Sequence, residues 1–554
     1  MYAFELPTTA PLSYADYLLS TQFSLEVSQA TELRARLRDV LKGINAKAPA
    51  VSSSAEDDLD DEGASLDAHT QKDWMSVIQA IESYLPHLIA VHTCLRTDDI
   101  LLRSEPVFAW RSVLSASSAS SQLLSNVGSS KGRTAVSGVY YELVFVLLAY
   151  GMALCNLASS QVSALGAYES NRKQTISDEA MKGKDGTLKT SIESMTKATA
   201  VFDLVAQKLI PDWEMEVGAG RLSASGRPLD TSKEILGALS RLAEAEASAL
   251  SIRHLLTPTI IQQTTQQLKA PPLPKSHPSP SVLAKLHLNV VEKAENASSL
   301  CKTFSRKSSV AAEEVIDIHD IGTNGGTRAG KSSGGGAFKS LKNRFGGGSG
   351  GGSSKDISNS PSTSSHSTSS NGPSTDEVAG SLLKHLRRTA TLHRCKAYRW
   401  LAIDAGEFRE QYGEAIVYLK LARSTLDQLD EAGKIRNSVK SSKGDATRRY
   451  WRMERETEQK DLDHWLASYQ KLNDTVFFKP LPPVSAMQAK IPAGRSALTI
   501  KPFGLPLPAF GPGSLGYVSD GMRRLDLEGE GASNAPSKRG KETGDGYAGA
   551  GAYY

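Results

Sequence analysis

The chain has 554 residues with 45 glycines, and long Ser/Gly tracts leave about 400 residues able to form a folded core. Its formal net charge is only +4, from 64 basic and 60 acidic residues, which argues against a dedicated nucleic-acid binder. The cysteines occur singly, without a CxxC pair, which argues against the usual zinc and redox motifs and is typical of a reducing compartment. They are Cys94, Cys155, Cys301 and Cys395.

The sequence carries no recognisable signal for export or lipid attachment, so we expect a cytoplasmic protein. Met1 to Glu5 lack both the basic region and the continuous apolar run of a signal peptide. Tyr2 stands where N-myristoylation requires a glycine. The most apolar stretch, Leu143 to Cys155, is too short to span a bilayer and predicts a buried core helix.

The N-terminal part of the chain predicts a short extended segment followed by two helices. Tyr2 to Leu6 alternate weakly in polarity and meet Pro7, which indicates a short strand or an extended lead-in. The pattern of apolar residues predicts a helix from about Ser28 to Lys42. A second helix is expected from Trp74 to His92, with a kink at Pro86, because proline removes one backbone donor.

Three stretches have the composition of disordered chain. Residues 46–70 contain a Ser-rich segment with clustered acidic side chains, and residues 305–375 are rich in Gly, Ser, Thr and Asn. We predict both to be disordered insertions, because neither can bury enough apolar surface to offset its ordering entropy. The Pro/Gly-rich residues 487–554 are expected to form a disordered tail, which leaves a single folded domain at residues 1–486.

Amphipathic helices are predicted through the remaining sequence, because apolar residues recur every three or four positions. Three of them are Leu188–Leu209, Thr231–Leu255 and Ser281–Phe304. The most regular pattern is a helical hairpin with arms at Leu382–Asp404 and Tyr412–Leu429, followed by a helix at Thr447–Leu472. Gly406 and Gly413 lie at the join of the hairpin, where a helix end needs a residue that tolerates positive φ.

No arrangement of residues points strongly to catalysis. Gly325 to Ser332 match the phosphate-loop pattern GxxxxGK[ST], but glycines at 334–336 follow where a helix should begin. We interpret the match as accidental; the alternative is a nucleotide-binding enzyme that uses Lys331. His287 is predicted to be a packed or surface histidine, and Asp98-Asp99 a helix cap or loop pair. The sequence therefore predicts no enzyme activity, no cofactor and no metal site.

Basic side chains cluster on the first hairpin arm and on the last long helix. They are Lys384, Arg387, Arg388, Arg394, Lys396 and Arg399 on the arm, and Arg448, Arg449, Arg452 and Arg455 on the helix. A solvated helix face is the expected interpretation of such a cluster. The alternative is a peripheral contact with a membrane surface.

Five short segments occur in a characteristic order along the chain. They are Phe108-Ala109-Trp110-Arg111, Gly138-Val139-Tyr140-Tyr141-Glu142, Leu242-Ala243-Glu244-Ala245-Glu246, Tyr412-Gly413-Glu414-Ala415-Ile416 and Asn473-Asp474-Thr475-Val476-Phe477. Together they resemble the BRO domain, the boomerang-shaped helical module of Alix and its relatives. The chain departs from that family at Ala149, where the family often has an asparagine. The resemblance covers most of residues 1–485 and implies an all-α, superhelical, TPR-like fold with a small β element near the N-terminus.

Within this family, the chain resembles the fungal pH-response regulators of the PalC family. The similarity rests on the opening Phe4 to Thr9 and on a short Pro/Gly tail in place of a long coiled-coil domain. It implies a non-catalytic adaptor in ambient alkaline pH signalling. Such an adaptor links the pH-sensing complex at the plasma membrane to ESCRT-III, upstream of proteolytic activation of the PacC transcription factor.

The same resemblance implies where the protein works and with what. A cytoplasmic protein is expected, recruited to the plasma membrane cortex or to the endosomal surface. Its expected partners are an ESCRT-III subunit and other components of the pH-signalling complex, but no nucleic acid. The alternative is a BRO-domain adaptor in endosomal or multivesicular-body cargo sorting.

The resemblance finally implies a partner-binding site. BRO domains capture an amphipathic C-terminal helix of an ESCRT-III subunit in an apolar groove. The family's groove helix aligns with Ser281 to Leu286, which places Val282 and Leu286 on the binding face, one turn apart. Leu250 falls next to the family's aromatic anchor, and Ala249 stands at the anchor position itself. The alternative is that Leu250, Val282 and Leu286 are ordinary core residues.

Overall fold

The computed structural model describes residues 1–46, 73–115, 132–170, 177–218, 226–266, 272–319, 378–431, 442–515 and 517. Nearly all of the insertion predicted at 46–70 and most of that predicted at 305–375 lie outside these ranges. So do the phosphate-loop motif at Gly325 to Ser332 and the end of the predicted tail, residues 518–554.

The first half of the described chain consists of five helices and two small β pairs. They are β1 (Leu18–Leu19), α1 (Ser24–Ala46), α2 (Trp74–Arg96), β2 (Leu101–Leu102), β3 (Val107–Arg111), β4 (Arg133–Ser137), α3 (Val139–Leu165), α4 (Asp178–Leu204) and α5 (Ile210–Val217). Side-chain caps fix several helix starts. Asp73 accepts a hydrogen bond from the Ser76 amide before α2, and Ser177 accepts one from Ala180 before α4.

The second half of the described chain is helical. Its helices are α6 (Lys233–Thr265), α7 (Pro280–His319), α8 (Gly380–Ile403), α9 (Tyr412–Glu431), α10 (Ser442–Leu472) and α11 (Val484–Ala489). Each long helix from α3 to α10 packs on its neighbour in sequence: α3 on α4, α4 on α6, α6 on α7, and so on to α10. This serial stacking is the arrangement of superhelical, TPR-like folds, and the predicted fold class is confirmed.

The small β element near the N-terminus is also confirmed. β1 pairs antiparallel with β2, and β3 with β4, where Trp110 lies opposite Thr134. Thr9 adds an isolated bridge to Trp110. The lead-in from Tyr2 to Leu6 forms no strand. The side chain of Asn156 holds it, because it bonds both the amide and the carbonyl of Phe4, at 2.8 and 2.9 Å.

Two apolar cores lie along the stack of helices. The first surrounds α3, which is buried on all sides from Val139 to Asn156. Of the described residues, only 139–170 form a helix long and apolar enough to cross a membrane, and 83% of its most apolar window is buried inside the fold. α3 is therefore the predicted core helix. The second core is formed mainly by α7, α8, α9 and α10.

The predicted hairpin is formed by α8 and α9, joined through a π-helical turn at Asp404–Phe408. Its glycines serve a different purpose from the predicted one, since neither has a positive φ. A β-carbon on Gly406 would lie 2.6 Å from the Tyr469 ring, and one on Gly413 would overlap the Pro480 carbonyl oxygen. They permit close approach, whereas Glu410 takes the left-handed conformation with φ 54°.

Residues 490–515, which we call the C-terminal strap, pack along the folded helices. The strap begins against α7, where the Arg495 amide donates to the Lys285 carbonyl at 3.0 Å. It ends at the proline kink of α2, where the Ala509 amide donates to the Pro86 carbonyl at 3.0 Å. Phe510 is buried there. This part of the chain was predicted to belong to a disordered tail, and the structure differs because distant helices supply its partners.

We expect Phe510→Ala to lower the free energy of unfolding by about 3 kcal/mol, since it removes a buried aromatic ring. That ring packs 5.3 Å from the ring of Phe23 and 6.3 Å from that of His87. Urea unfolding of the full chain measures the loss. Leu515→Ala, at a strap residue that is 90% exposed, is the matched control and should change stability by less than about 0.5 kcal/mol. Equal effects of the two substitutions would contradict the docking of the strap on α2.

Candidate partner-binding groove

Two contacts set the register of the antiparallel helices α6 and α7. The Lys293 ammonium lies 2.8 Å from the Glu244 carboxylate, and a β-carbon on Gly237 would lie 3.5 Å from Leu300. Continuing this register along both helices brings Leu255 of α6 to about the level of Val282 of α7. Two α7 residues of the predicted site therefore face the last turns of α6.

The structure brings Val282 and Leu286 together but separates Leu250 from them. Val282 is half-buried against the second core, to which Leu286 belongs. Leu250 packs in the first core, on the other side of α6. Leu250 and Leu286 are each only 6% exposed, so both contribute to cores whatever else they do. The role of all three residues in binding a partner stays a prediction.

Leu255 also belongs to this surface, although the sequence provided no reason to include it in the predicted site. It is 41% exposed, which is unusual for a leucine flanked by the packed residues Ile252 and Leu256. The predicted helix ended at Leu255, whereas α6 continues through Pro258 to Thr265. Because α6 continues past Leu255, this leucine lies on a face of the helix and not at the helix end. We call the surface formed by Leu255, Val282 and Leu286 the candidate groove.

The C-terminal strap forms a wall beside the candidate groove. A β-carbon on Gly494 would lie 2.7 Å from the Asn289 amide nitrogen, so only glycine allows the strap to lie this close to α7. Ile491 packs against the second core just before this contact. Lys285 and the exposed Arg495 add positive charge at this edge. The groove thus combines apolar side chains with a basic border, which suits an amphipathic helix that carries acidic residues.

Two buried histidines join α7 to α8, and one of them, His287, directly follows Leu286 of the candidate groove. The Nδ1 atoms of His287 on α7 and His393 on α8 are 2.9 Å apart, so one ring donates a hydrogen bond to the other. Burial lowers the pKa of His393 to about 3, and the nearby Lys396 ammonium acts in the same direction. Burial, His393 and Lys396 also hold the pKa of His287 well below its usual value. His287 is therefore a packed histidine, which is one of the two roles that the sequence predicted for it.

Acidification should destabilise the protein through this pair. Both histidines are neutral in the folded state and have a pKa near 6.5 when unfolded, so the unfolded chain binds more protons below that pH. Stability should be intact above about pH 6.5 and fall by about 2 kcal/mol per histidine by pH 5. Urea unfolding across this range measures the slope. His393→Gln should make the free energy of unfolding depend less on pH, whereas His464→Gln, at an exposed position, should leave that dependence unchanged. Equal slopes in the two variants would contradict the assignment of the pH dependence to the buried pair.

Several basic side chains predicted to form a solvated or membrane-binding face instead pair with carboxylates. Lys396 lies 3.0 Å from Glu454, and Arg399 lies 2.7 Å from Glu458, which is buried. Arg394 pairs with Glu295 of α7. These ion pairs attach α10 and α7 to α8. Their charge is largely neutralised within the protein, so this face of α8 is not an open basic patch.

The other polar positions singled out in the sequence are structural. Asp98 adopts φ 60° in the loop after α2, and Asp99 accepts hydrogen bonds from Thr97 at 2.5 Å and from Tyr517 at 3.1 Å. The pair is thus part of a loop, as predicted. Among the residues that the structure describes, no group of three or more His, Cys, Asp or Glu side chains could hold a metal ion.

A protein-family model matches most of the chain. The model described as "BRO1-like domain" matches residues 31–506. The matched range begins in α1 and ends within the C-terminal strap, so it includes every long helix of both cores. It also contains all five segments on which the sequence resemblance rests.

Curated relatives share a name. The "pH-response regulator protein palC" of Cryptococcus neoformans var. neoformans serotype D is 28% identical over 547 residues, which cover 94% of this chain and 94% of the relative. The protein of the same name from Emericella nidulans is 27% identical over 339 residues, 56% of this chain and 57% of the relative.

Solved structures with a similar fold are more distant in sequence. "ALIX BRO1 CHMP4C complex" has a TM-score of 0.47 at 13% identity and covers 92% of this chain and 97% of the other. "Structure basis for endosomal targeting by the Bro1 domain" has a TM-score of 0.44 at 13% identity and covers 90% of this chain and 92% of the other.

Proposed function

The chain belongs to the BRO1-like domain family, and on that premise we propose that it is a non-catalytic adaptor in ambient alkaline pH signalling. The names of its curated relatives support the signalling role. In this proposal the protein links the pH-sensing complex at the plasma membrane to an ESCRT-III subunit. It acts upstream of the proteolytic activation of the PacC transcription factor.

The observation that carries the proposal is the candidate groove. Leu255 is 41% exposed and Val282 is half-buried, so both leave apolar surface accessible on two antiparallel helices, and Leu286 belongs to the second core. Such a surface accepts the apolar stripe of an amphipathic helix, with anchor residues spaced three and four apart. The C-terminal helix of the ESCRT-III subunit is the occupant that the family resemblance implies. Binding brings two complexes together without altering a covalent bond.

Recruitment to the plasma membrane cortex at alkaline pH is part of the proposal. Fluorescence imaging of the tagged full-length protein should show cortical spots after a shift from acidic to alkaline medium. The Val282→Asp variant should not bind ESCRT-III stably, so PacC processing should fail in cells that carry this variant. Cortical spots at both pH values, or normal PacC processing in the variant, would contradict the proposal.

The same imaging distinguishes the pH-signalling role from the alternative, an adaptor for endosomal cargo sorting. That role predicts endosomal spots whose number does not depend on ambient pH, together with mis-sorted cargo in cells lacking the protein. The candidate groove fits both roles, because ESCRT-III serves both. The names of the curated relatives favour the pH-signalling role.

A further inference from the structure

The elements that border the candidate groove carry no carboxylates. α6 has none after Glu246, residues 272–291 have none, and the C-terminal strap has none. The same elements carry basic side chains, which are Arg253, His254, Lys275, Lys285, Lys490, Arg495 and Lys501. The charge that these elements supply is therefore of one sign, which favours an anionic group on the occupant.

Carboxylates from other elements already contact three of these side chains. The contacts are Arg253–Glu169 at 2.7 Å, His254–Asp185 at 2.9 Å and Lys490–Glu414 at 2.6 Å. Lys285 and Arg495 pair with no carboxylate in the part of the chain that the structure describes. The nearest carboxylate on α7, Glu292, lies two turns beyond Lys285, a rise of about 10 Å. These two cations therefore remain available to a partner.

Main-chain contacts hold Arg495 beside Lys285. The Arg495 amide donates to the Lys285 carbonyl at 3.0 Å, and the preceding Gly494 packs against Asn289 so closely that a β-carbon would not fit. These contacts fix the strap backbone on α7, whereas the Arg495 side chain is exposed. The two cations thus start from neighbouring backbone positions. An anionic partner group between them would offset the repulsion of the two like charges.

Lys285 borders the apolar part of the candidate groove. Successive residues of a helix lie about 100° apart around its axis, so Leu286 lies about 40° to one side of Val282 and Lys285 about 60° to the other. Lys293, two turns after Leu286, contacts Glu244 of α6 at 2.8 Å, which places Leu286 on the α6 side of α7. Lys285 therefore borders Val282 on the side away from α6, and the strap joins it there.

We propose that Lys285 and Arg495 bind an acidic side chain that flanks the apolar stripe of the captured helix. This inference rests on the proposed function, because it concerns the occupant of the same groove. A helix that lies over Val282, with its stripe against α6 and α7, presents the residues beside the stripe to the strap. An aspartate or glutamate three or four residues from an apolar anchor lies beside that stripe. The strap thereby selects acidic amphipathic helices over neutral ones.

The test is fluorescence anisotropy of the full chain with two labelled peptides. The first is the C-terminal helix of the ESCRT-III subunit, and in the second every Asp and Glu of that helix is replaced by Asn and Gln. We expect the wild type to bind the acidic peptide about tenfold more tightly at low salt. Arg495→Glu should weaken binding of the acidic peptide about fivefold and leave the neutral peptide nearly unaffected. High salt should reduce the preference, because these contacts are exposed.

A matched control separates this local contact from the net charge of the protein. Lys501→Glu makes the same change of charge at another exposed residue of the strap. Lys501 lies near Phe503, whose ring is 6.0 Å from that of Tyr150 in the first core, and thus away from the groove. Its substitution should change the affinity for either peptide by less than about twofold.

A charge exchange provides a measurement that a merely structural role would not affect. A third peptide carries lysine in place of each acidic residue of the tail helix. It should bind the wild type weakly and should bind more tightly to a chain that carries both Lys285→Glu and Arg495→Glu. Such a gain also shows that the doubly substituted chain is folded.

Two results would overturn the inference. The first is equal affinity of the wild type for the acidic and neutral peptides at low salt. The second is a preference for the acidic peptide that persists when both cations are reversed. If the neutral peptide binds the wild type but not Val282→Asp, the groove stands even when the inference fails. A wild type that binds neither peptide contradicts both the inference and the proposed function.

Discussion

Glu142→Ala should destabilise the protein by about 3–5 kcal/mol, because it leaves a buried cation without its partner. The Arg34 Nε lies 2.8 Å from the Glu142 carboxylate, and both side chains are essentially inaccessible to water. The same carboxylate accepts from the Trp110 indole at 2.7 Å and from the Tyr84 hydroxyl at 3.2 Å. Burial acts to lower the pKa of Arg34, but the charge and hydrogen bond of Glu142, together with Tyr84 and Tyr14, raise that pKa above its usual value.

Urea unfolding of the full chain measures this loss, with two variants for comparison. Glu142→Gln keeps the shape of the side chain and one acceptor oxygen, so it should lose less than the alanine variant. Glu193→Ala, at an exposed position on α4, should change stability by less than about 0.5 kcal/mol. A loss below about 1 kcal/mol for Glu142→Ala would show that the pair is not essential to the first core.

Val282→Asp should weaken binding of the ESCRT-III tail helix about a hundredfold, or about 2.7 kcal/mol. The substitution places a carboxylate where the apolar stripe of the partner helix should lie, and the charge would lose water without gaining a partner. Leu255→Asp should have a similar effect from the opposite side of the candidate groove. Leu286→Asp is less informative, because Leu286 belongs to the second core and its replacement should unfold that core.

Fluorescence anisotropy with a labelled tail-helix peptide measures both affinities. Met215→Asp, at an exposed residue of α5 outside the groove, is the matched control and should bind like the wild type. Melting temperatures of the groove variants should stay near that of the wild type, since Val282 and Leu255 are partly exposed. Unchanged affinity in both groove variants would show that Leu255 and Val282 are ordinary surface residues and do not form a binding groove.

The sequence predicted the helices because their apolar spacing is local information. The hairpin arms at Leu382–Asp404 and Tyr412–Leu429 and the core helix at Leu143–Cys155 correspond to helices of the structure. The family resemblance is confirmed, and the structure explains two of its segments physically. The Trp110 indole of the first segment donates a hydrogen bond to the buried Glu142 carboxylate of the second. The tryptophan is therefore needed to satisfy this carboxylate.

Features that depend on partners far along the chain could not be predicted in this way. The C-terminal strap has the Pro/Gly composition of a disordered tail, yet Pro86 and Lys285 accept its amide hydrogens. The charges of Lys396 and Arg399 looked like a basic patch because their partners, on α10, lie some sixty residues later. Leu255 was missed for a related reason, since only the register of α6 against α7 shows what it faces.

Photo-crosslinking can show whether the captured helix lies in the candidate groove. A photoreactive phenylalanine analogue would replace Leu255 in the full chain, and Met215 in a control, before addition of the ESCRT-III tail-helix peptide. We expect an efficient crosslink from position 255 to the apolar face of the peptide and none from position 215. A crosslink from position 215 alone, or equal yields from both positions, would contradict this placement of the helix.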